Sequence, residues 1–217
     1  KTAPAATPPA AKAPAPAAAA EGSSNDRLNV WLKNVSVKSR ASTTLWPAWA
    51  KASAMPGDGA VPMPADIWSG MTDAQAWSDW AAKNPDLAKA LNASREASVL
   101  GVSYGEQGVD AALKAKGLVA LPGSAVGESA FSYLRAVRGL AAYAILEMQR
   151  LGAAKNFDGA FQVGVDGLRM LRQAAEQRMS TEKVVALELL ASSLEAHRVF
   201  LADHLDQIPE ATLQKFS

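Results

Sequence analysis

The two histidines, His197 and His204, are the side chains best suited to metal binding or proton transfer near neutral pH. They fall on one face of a predicted helix, roughly 10 Å apart along its axis at a rise of 1.5 Å per residue. Imidazole nitrogens bind zinc at about 2 Å, so the pair is poorly placed to share one ion. We expect ordinary interface histidines. A pH-sensitive contact, a metal site and a general base are the alternatives.

No other motif indicates catalysis. The chain has no cysteine, which excludes disulfides, thiolate metal sites and cysteine nucleophiles. Residues 101–105 (GVSYG) have the letters of a nucleophile elbow, but no predicted strand precedes them and no helix follows in register, so we interpret them as a loop. No P-loop or dinucleotide-binding pattern occurs. We therefore expect a protein that is not an enzyme and has no cofactor.

One segment combines tryptophan with basic residues. Between Asp26 and Asp58 the sequence has no acidic residue, while tryptophans and cations alternate. This composition is typical of a membrane interface or an anionic protein surface. The alternative is that these tryptophans cover the core of their own domain. The predicted partner-binding residues are Trp31, Lys33, Lys38, Arg40, Trp46 and Trp49.

A second group of tryptophans follows. Trp77 and Trp80 are three residues apart on a short predicted helix, and Trp68 precedes them. Clustered tryptophans can bind sugars or pigments, so these three residues form a candidate ligand site. The alternative is that they close one end of the hydrophobic core.

Composition divides the chain into three parts. Residues 1–26 are rich in Ala and Pro and predict a disordered tether, because proline fixes φ and removes a backbone donor. An arm laid on a partner's surface is the alternative. Residues 27–70 predict an extended arm followed by a loop, and residues 71–217 predict a helical domain.

Helical periodicity dominates the third part. Capping patterns predict two short helices, and apolar steps of three and four residues predict three long ones joined by short loops, hence antiparallel. The fold class is all-α, an irregular helical bundle with three long antiparallel C-terminal helices and an extended N-terminal arm. The predicted helices cover about 73–82, 85–98, 109–116, 128–151, 157–178 and 180–208.

The last long helix carries a heptad-like apolar seam, in which apolar residues and the two histidines recur in steps of three and four. Such spacing is typical of a helix–helix interface, so this seam is predicted to face the core. The seam consists of Leu187, Leu190, Leu194, His197, Leu201, His204 and Ile208.

These helices carry a resemblance. The stretch 84–105 (NPDLAKALNASREASVLGVSYG), the hairpin 142–171 and the helix 184–205 resemble uncharacterised helical exported proteins of planctomycete-type bacteria. The hairpin, with Gly152 closing one helix and Phe157 opening the next, also resembles a degenerate tetratricopeptide unit. It has no tryptophan at the expected start and no second copy. The resemblance implies helical packing and a role in protein interaction, and it carries no catalytic residues.

The predicted function is that of a non-catalytic structural or accessory subunit docked onto a larger envelope or membrane-associated assembly. A small-ligand or glycan-binding helical module is the alternative. The formal net charge of +1 disfavours a nucleic-acid partner. No apolar run reaches the roughly 20 residues of a membrane helix, so no transmembrane segment is predicted. The expected partners are other protein subunits, a membrane-embedded complex among them, and the expected location is the periplasm or cell envelope of a bacterium.

Overall fold

The computed structural model describes residues 24–57, 60–68, 70–121 and 131–216. Most of the predicted tether and the predicted start of the first long helix near Glu128 lie outside these ranges. Within them the chain is helical and forms no strand, which confirms the all-α prediction. The helices are α1 (Ser24–Lys33), α2 (Ser42–Lys51), α3 (Ala74–Lys83), α4 (Pro85–Ala93), α5 (Ala111–Ala115), α6 (Leu134–Ala153), α7 (Phe157–Ala175), α8 (Ser180–His204) and α9 (Glu210–Phe216).

The three long helices α6, α7 and α8 form the body of the bundle. Phe157 at the start of α7 meets His204 at the end of α8, so these two helices run antiparallel. Tyr133, just before α6, bonds to Glu182 in the first turn of α8, so α6 and α8 run in the same direction. Helix α7 is therefore antiparallel to both neighbours, as the short loops predicted.

Helix α6 is the centre of the core. Every residue from Leu140 to Met148 is buried, because α3, α4, α7, α8 and the 3₁₀ turn Pro64–Asp66 all pack around it. Small side chains let the neighbours approach closely. At Gly139, an added Cβ would lie 2.2 Å from the Trp49 ring. Among the described residues, no helix has the length and hydrophobicity that crossing a membrane requires.

The prediction of an extended arm over residues 27–70 is wrong. Helices α1 and α2 occupy much of this segment, and α2 accommodates Pro47 within its length. Leu45 and Trp46 are buried in the same core as α6, so the folded part begins well before the predicted boundary at residue 71. Burial of these large apolar side chains outweighs the weak helical propensity of the segment.

The inward face of α8 agrees with only part of the predicted seam. Leu190 and Leu201 pack against the core and Ile208 is buried, but Leu187 and Leu194 are 55% and 52% exposed. The face that packs on α6 and α7 is instead made of smaller residues with one aromatic ring. Its buried residues are Ala186, Leu189, Ser193, Ala196 and Phe200.

The segment between α4 and α5 has an irregular backbone, although its first residues fall within the predicted helix 85–98, and it runs through the core. Leu100, Val102 and Tyr104 are buried. Two buried glutamines at the end of α7 satisfy its carbonyl groups: Gln173 Nε2 donates to Ser94 and Ala97, and Gln177 Nε2 donates to Val102. A loop in this position requires such partners, because unpaired buried backbone groups are costly.

Candidate functional site

The structure separates the predicted partner-binding residues into core and surface. Trp46 is 4% exposed, and its ring packs against Tyr133 at 6.1 Å between centroids. Trp49 is partly buried and meets Trp80 edge-on. Trp46 presents no free face to a partner, so its assignment to a docking surface is wrong, whereas Trp49 remains partly exposed and lines an open cavity. These two tryptophans cover their own core.

Arg40 has a structural role that its basic character does not indicate. Its guanidinium donates to the Leu32 carbonyl at 2.6 Å and to the Val35 carbonyl at 2.8 Å. These carbonyls lie at the end of α1 and just beyond it, where helical partners are lacking and a cation is favourable. Arg40 therefore caps α1 and fixes the turn toward α2, and its charge is committed within the chain.

The remaining predicted residues lie in one stretch of chain: Trp31 and Lys33 are on α1, and Lys38 is in the 3₁₀ turn Val37–Ser39 that follows it. Trp31 is half-buried on α1, and the Arg178 guanidinium lies over its ring at 5.1 Å. The two lysines are exposed. We call this region the Trp31 patch. It also includes one further arginine and two valines that are exposed in the same stretch of chain. It consists of Arg27, Val30, Trp31, Lys33, Val37, Lys38 and Arg178.

Charge and apolar exposure coincide in the Trp31 patch. Val30 and Val37 are 54% and 64% exposed, so apolar surface occurs in the same stretch as these cations. None of its four cations forms a salt bridge with a carboxylate of the described residues. An open cavity of about 520 Å³ lies between α1 and Arg178. Such a surface can bind an anionic, partly apolar partner.

Tyr104 holds the Trp31 patch in place. Its backbone N–H donates to Asn29 Oδ1 at 2.8 Å, and its carbonyl accepts from Asn29 Nδ2 at 2.7 Å, which anchors α1. Its hydroxyl accepts from the Arg178 backbone N–H at 2.9 Å, next to the guanidinium that covers Trp31. A single residue in the irregular segment thus positions both halves of the patch.

The same hydroxyl belongs to a buried carboxylate clamp. Glu182, at the start of α8, accepts from the hydroxyls of Tyr104 and Tyr133 at 2.5 and 2.6 Å and from the Met179 N–H at 3.0 Å. Burial first, and hydrogen bonding to the Glu182 carboxylate second, raises the pKa of the Tyr104 hydroxyl. Burial and the charge of Glu182 raise the pKa of Tyr133 well above its ordinary value. Both tyrosines are therefore fixed as donors.

The histidines lie in the helix interface. His197 Nδ1 lies 2.7 Å from the Ser193 carbonyl, and its Nε2 is buried against Gly164, where an added Cβ would lie only 2.4 Å away. Burial lowers the pKa of His197. His204 packs on Phe157 and Phe200. Within the described residues, no cluster of three or more histidines and carboxylates is arranged to hold a metal ion.

Of the predicted ligand-binding tryptophans, two are core residues. Trp77 and Trp80 are 5% and 3% exposed and meet edge-on at 5.7 Å between centroids. The Trp80 indole also donates to the Ser53 carbonyl at 3.0 Å. They close the α3 end of the core, and their assignment to a ligand site is wrong.

Trp68, by contrast, is 59% exposed and lines a cleft of about 520 Å³. The cleft lies between the 3₁₀ turn Pro64–Asp66, the end of α6 and the last turns of α8. Its walls include Val199 and Phe200, with Gln149 and His204 as polar groups. Gln149 Nε2 is committed to the Ile67 carbonyl at 2.7 Å. We call this feature the Trp68 cleft.

Sequence reasoning missed Tyr104, Arg178 and Glu182. Each lies far along the chain from the tryptophan it supports, so no local spacing connects them. The one available signal is that an acidic residue, Glu182, follows Ser180 and Thr181 at the start of a helix, where a carboxylate commonly accepts backbone N–H bonds. That pattern explains the bond to Met179 but gives no indication of the two tyrosines.

The comparisons with known proteins add no relative. The chain matches no protein-family model, and no curated protein or solved structure is significantly similar to it.

Proposed function

We propose that this chain is a non-catalytic accessory subunit that docks onto a larger assembly through the Trp31 patch. The observation that carries the proposal is the exposure of Val30 on α1 and of Val37 in the 3₁₀ turn that follows, in a stretch whose cations have no carboxylate partner in the described residues. The partner is an acidic protein surface with an apolar contact at its centre. An envelope or membrane-associated assembly of an exported bacterial protein fits this proposal.

Physical arguments support a protein partner. Exposed aliphatic side chains ringed by basic groups match the usual division of an interface into an apolar centre and a polar rim. Arg178 is held over Trp31, so this pair is ordered before binding and loses less side-chain entropy on association. Arginine and tryptophan are also the residue types that contribute most at interfaces.

A crosslinking pull-down from the native cell envelope tests the proposal. Lys33→Glu reverses a charge within the Trp31 patch and should abolish capture of the partner. Lys83→Glu is the matched control, because Lys33 and Lys83 are each the last residue of a ten-residue helix. Its capture should equal that of the unaltered chain. Equal capture by both variants would rule out the Trp31 patch as the docking surface.

Salt dependence gives a second measurement. Surface electrostatic attraction is screened over about 8–10 Å at physiological ionic strength. Capture through the Trp31 patch should therefore weaken as salt is raised, and the Lys38→Glu variant should show a weaker dependence than the unaltered chain. A binding strength insensitive to salt in both proteins would contradict a role for these cations.

A second candidate function is small-ligand binding in the Trp68 cleft. The observation in its favour is an exposed indole at the rim of a cleft of about 520 Å³, a volume within the usual range for ligand sites. Oligosaccharides titrated against the protein should quench tryptophan fluorescence, and Trp68→Phe should remove the quenching. If every tested sugar leaves the emission of both proteins unchanged, the cleft is not a glycan site.

A further inference from the structure

The surface of α8 that faces away from the bundle carries an apolar stripe. Its members take the a and d positions of a coiled-coil heptad, three and four residues apart, except that Arg198 occupies the a position between Leu194 and Leu201. They span about 31 Å of helix at 1.5 Å per residue. The α8 stripe consists of Val184, Leu187, Ala191 and Leu194, continued by Leu201, which also packs against the core, and by Leu205 in the 3₁₀ turn directly after α8.

Most of this stripe is in contact with solvent. Val184, Leu187, Leu194 and Leu205 are 52–57% exposed, and they account for half of the large hydrophobic residues that are exposed in the described part of the chain. Since α8 already buries its opposite face on α6 and α7, the α8 stripe is a second apolar face on the same helix. Contiguous exposed apolar surface of this kind marks a binding site more often than scattered residues do.

The charges beside the α8 stripe indicate its occupant. With Val184 at an a position, Lys183 takes the preceding g position and Glu188 the following e position. In a parallel pair of identical helices, a g residue faces the e residue five positions further along the other helix. Lys183 of each copy would then face Glu188 of the other. Neither residue forms a salt bridge in the described part of the chain.

The opposite orientation is less favourable. In an antiparallel pair the e positions face one another, which would bring the carboxylates of Glu188 and Glu195 against those of the second copy. Arg198 is the one charged residue at an a position, and it is folded back onto Glu195 at 2.6 Å. A single polar residue at an a position lowers stability but fixes the register of a parallel dimer. We infer that the α8 stripe binds a second copy of this chain as a parallel, in-register pair of α8 helices.

Charge reversal on the full chain tests this inference. Lys183→Glu places four carboxylates in the two facing pairs, and Glu188→Lys places four ammonium groups there. Each single variant should weaken self-association about tenfold. The double variant restores two opposite-charge pairs and should return the dissociation constant to within about threefold of the original. Sedimentation equilibrium over a concentration series measures each constant.

Two controls distinguish the loss of self-association from unfolding of the chain and from an effect of the Trp31 patch. Leu194→Ser removes an exposed apolar contact and should leave the chain monomeric with an unchanged circular dichroism spectrum. Val37→Ser removes a comparably exposed side chain of the Trp31 patch and should leave self-association unchanged. A chain that stays monomeric at every concentration overturns the inference. So does a double charge variant that fails to recover, because residues 183 and 188 would then not face each other across the pair.

Discussion

Replacement of Tyr104 by phenylalanine should destabilise this protein far more than the loss of one exposed hydroxyl would. The Tyr104 hydroxyl donates to the buried Glu182 carboxylate at 2.5 Å and accepts the Arg178 N–H at 2.9 Å. A hydrogen bond to a charged group contributes about 1.5–3 kcal/mol, and an unpaired buried donor costs about 1–3 kcal/mol. We therefore expect the free energy of unfolding to fall by about 2.5–4 kcal/mol.

Equilibrium unfolding in urea measures this loss, provided the slope with denaturant stays constant. Tyr143→Phe is the matched control, because the Tyr143 side chain is equally buried but its hydroxyl makes no hydrogen bond to a carboxylate. Its effect should stay below about 1 kcal/mol. The comparison isolates the clamp from the general effect of removing a buried hydroxyl.

A double-mutant cycle with Glu182→Gln locates the effect. If the Tyr104 hydroxyl and the Glu182 carboxylate form one bonded pair, the two substitutions should be non-additive by about 1–3 kcal/mol. The reasoning would be refuted if Tyr104→Phe cost no more than Tyr143→Phe, or if the cycle were additive. Either result would mean that the carboxylate does not hold α8 to the irregular segment.

Three further predictions concern pH and packing. Burial raises the pKa of all three tyrosines. The free energy of unfolding should therefore be constant up to about pH 10 and should fall above it by up to about 1.4 kcal/mol per pH unit per tyrosine. Phenolate absorbance should appear only as the chain unfolds. Phenolate formation near pH 10 in the folded protein would contradict this. Burial lowers the pKa of His197, so the free energy of unfolding should be constant above about pH 6.5 and should fall below it. In urea titrations at several pH values, the free energy of unfolding of His197→Gln should fall less steeply as the pH is lowered. Gly139→Ala should destabilise by about 1–3 kcal/mol, because its Cβ would meet Trp49, whereas in an unobstructed helix the change gains up to about 1 kcal/mol. A rise in melting temperature would show that Trp49 moves aside freely.

The positions of the buried tryptophans show one limit of the sequence. Interleaved tryptophan and lysine residues predict an exposed arm, yet Trp46 lies in the core while Trp31 stays at the surface. Both residues lie in the stretch between Asp26 and Asp58 that has no acidic residue. What differs is the neighbour that each meets: the buried Tyr133 packs against Trp46, whereas the Arg178 guanidinium lies over the ring of Trp31. The sequence therefore predicted part of the Trp31 patch but not its boundary.

The sequence by itself determined the all-α class and the three long antiparallel helices, because strong periodicity and short loops depend only on nearby residues. Tertiary structure alone decided which face of α8 turns inward. Helix α8 has apolar residues on two sides. Because one side is richer in leucine, hydrophobicity alone predicts that this side faces the core. The side with Ala186, Ser193 and Ala196 is buried instead, since small side chains allow the close approach that α6 and α7 require. Leu187 and Leu194 are thereby left at the surface, in the α8 stripe that we propose binds a second copy of this chain.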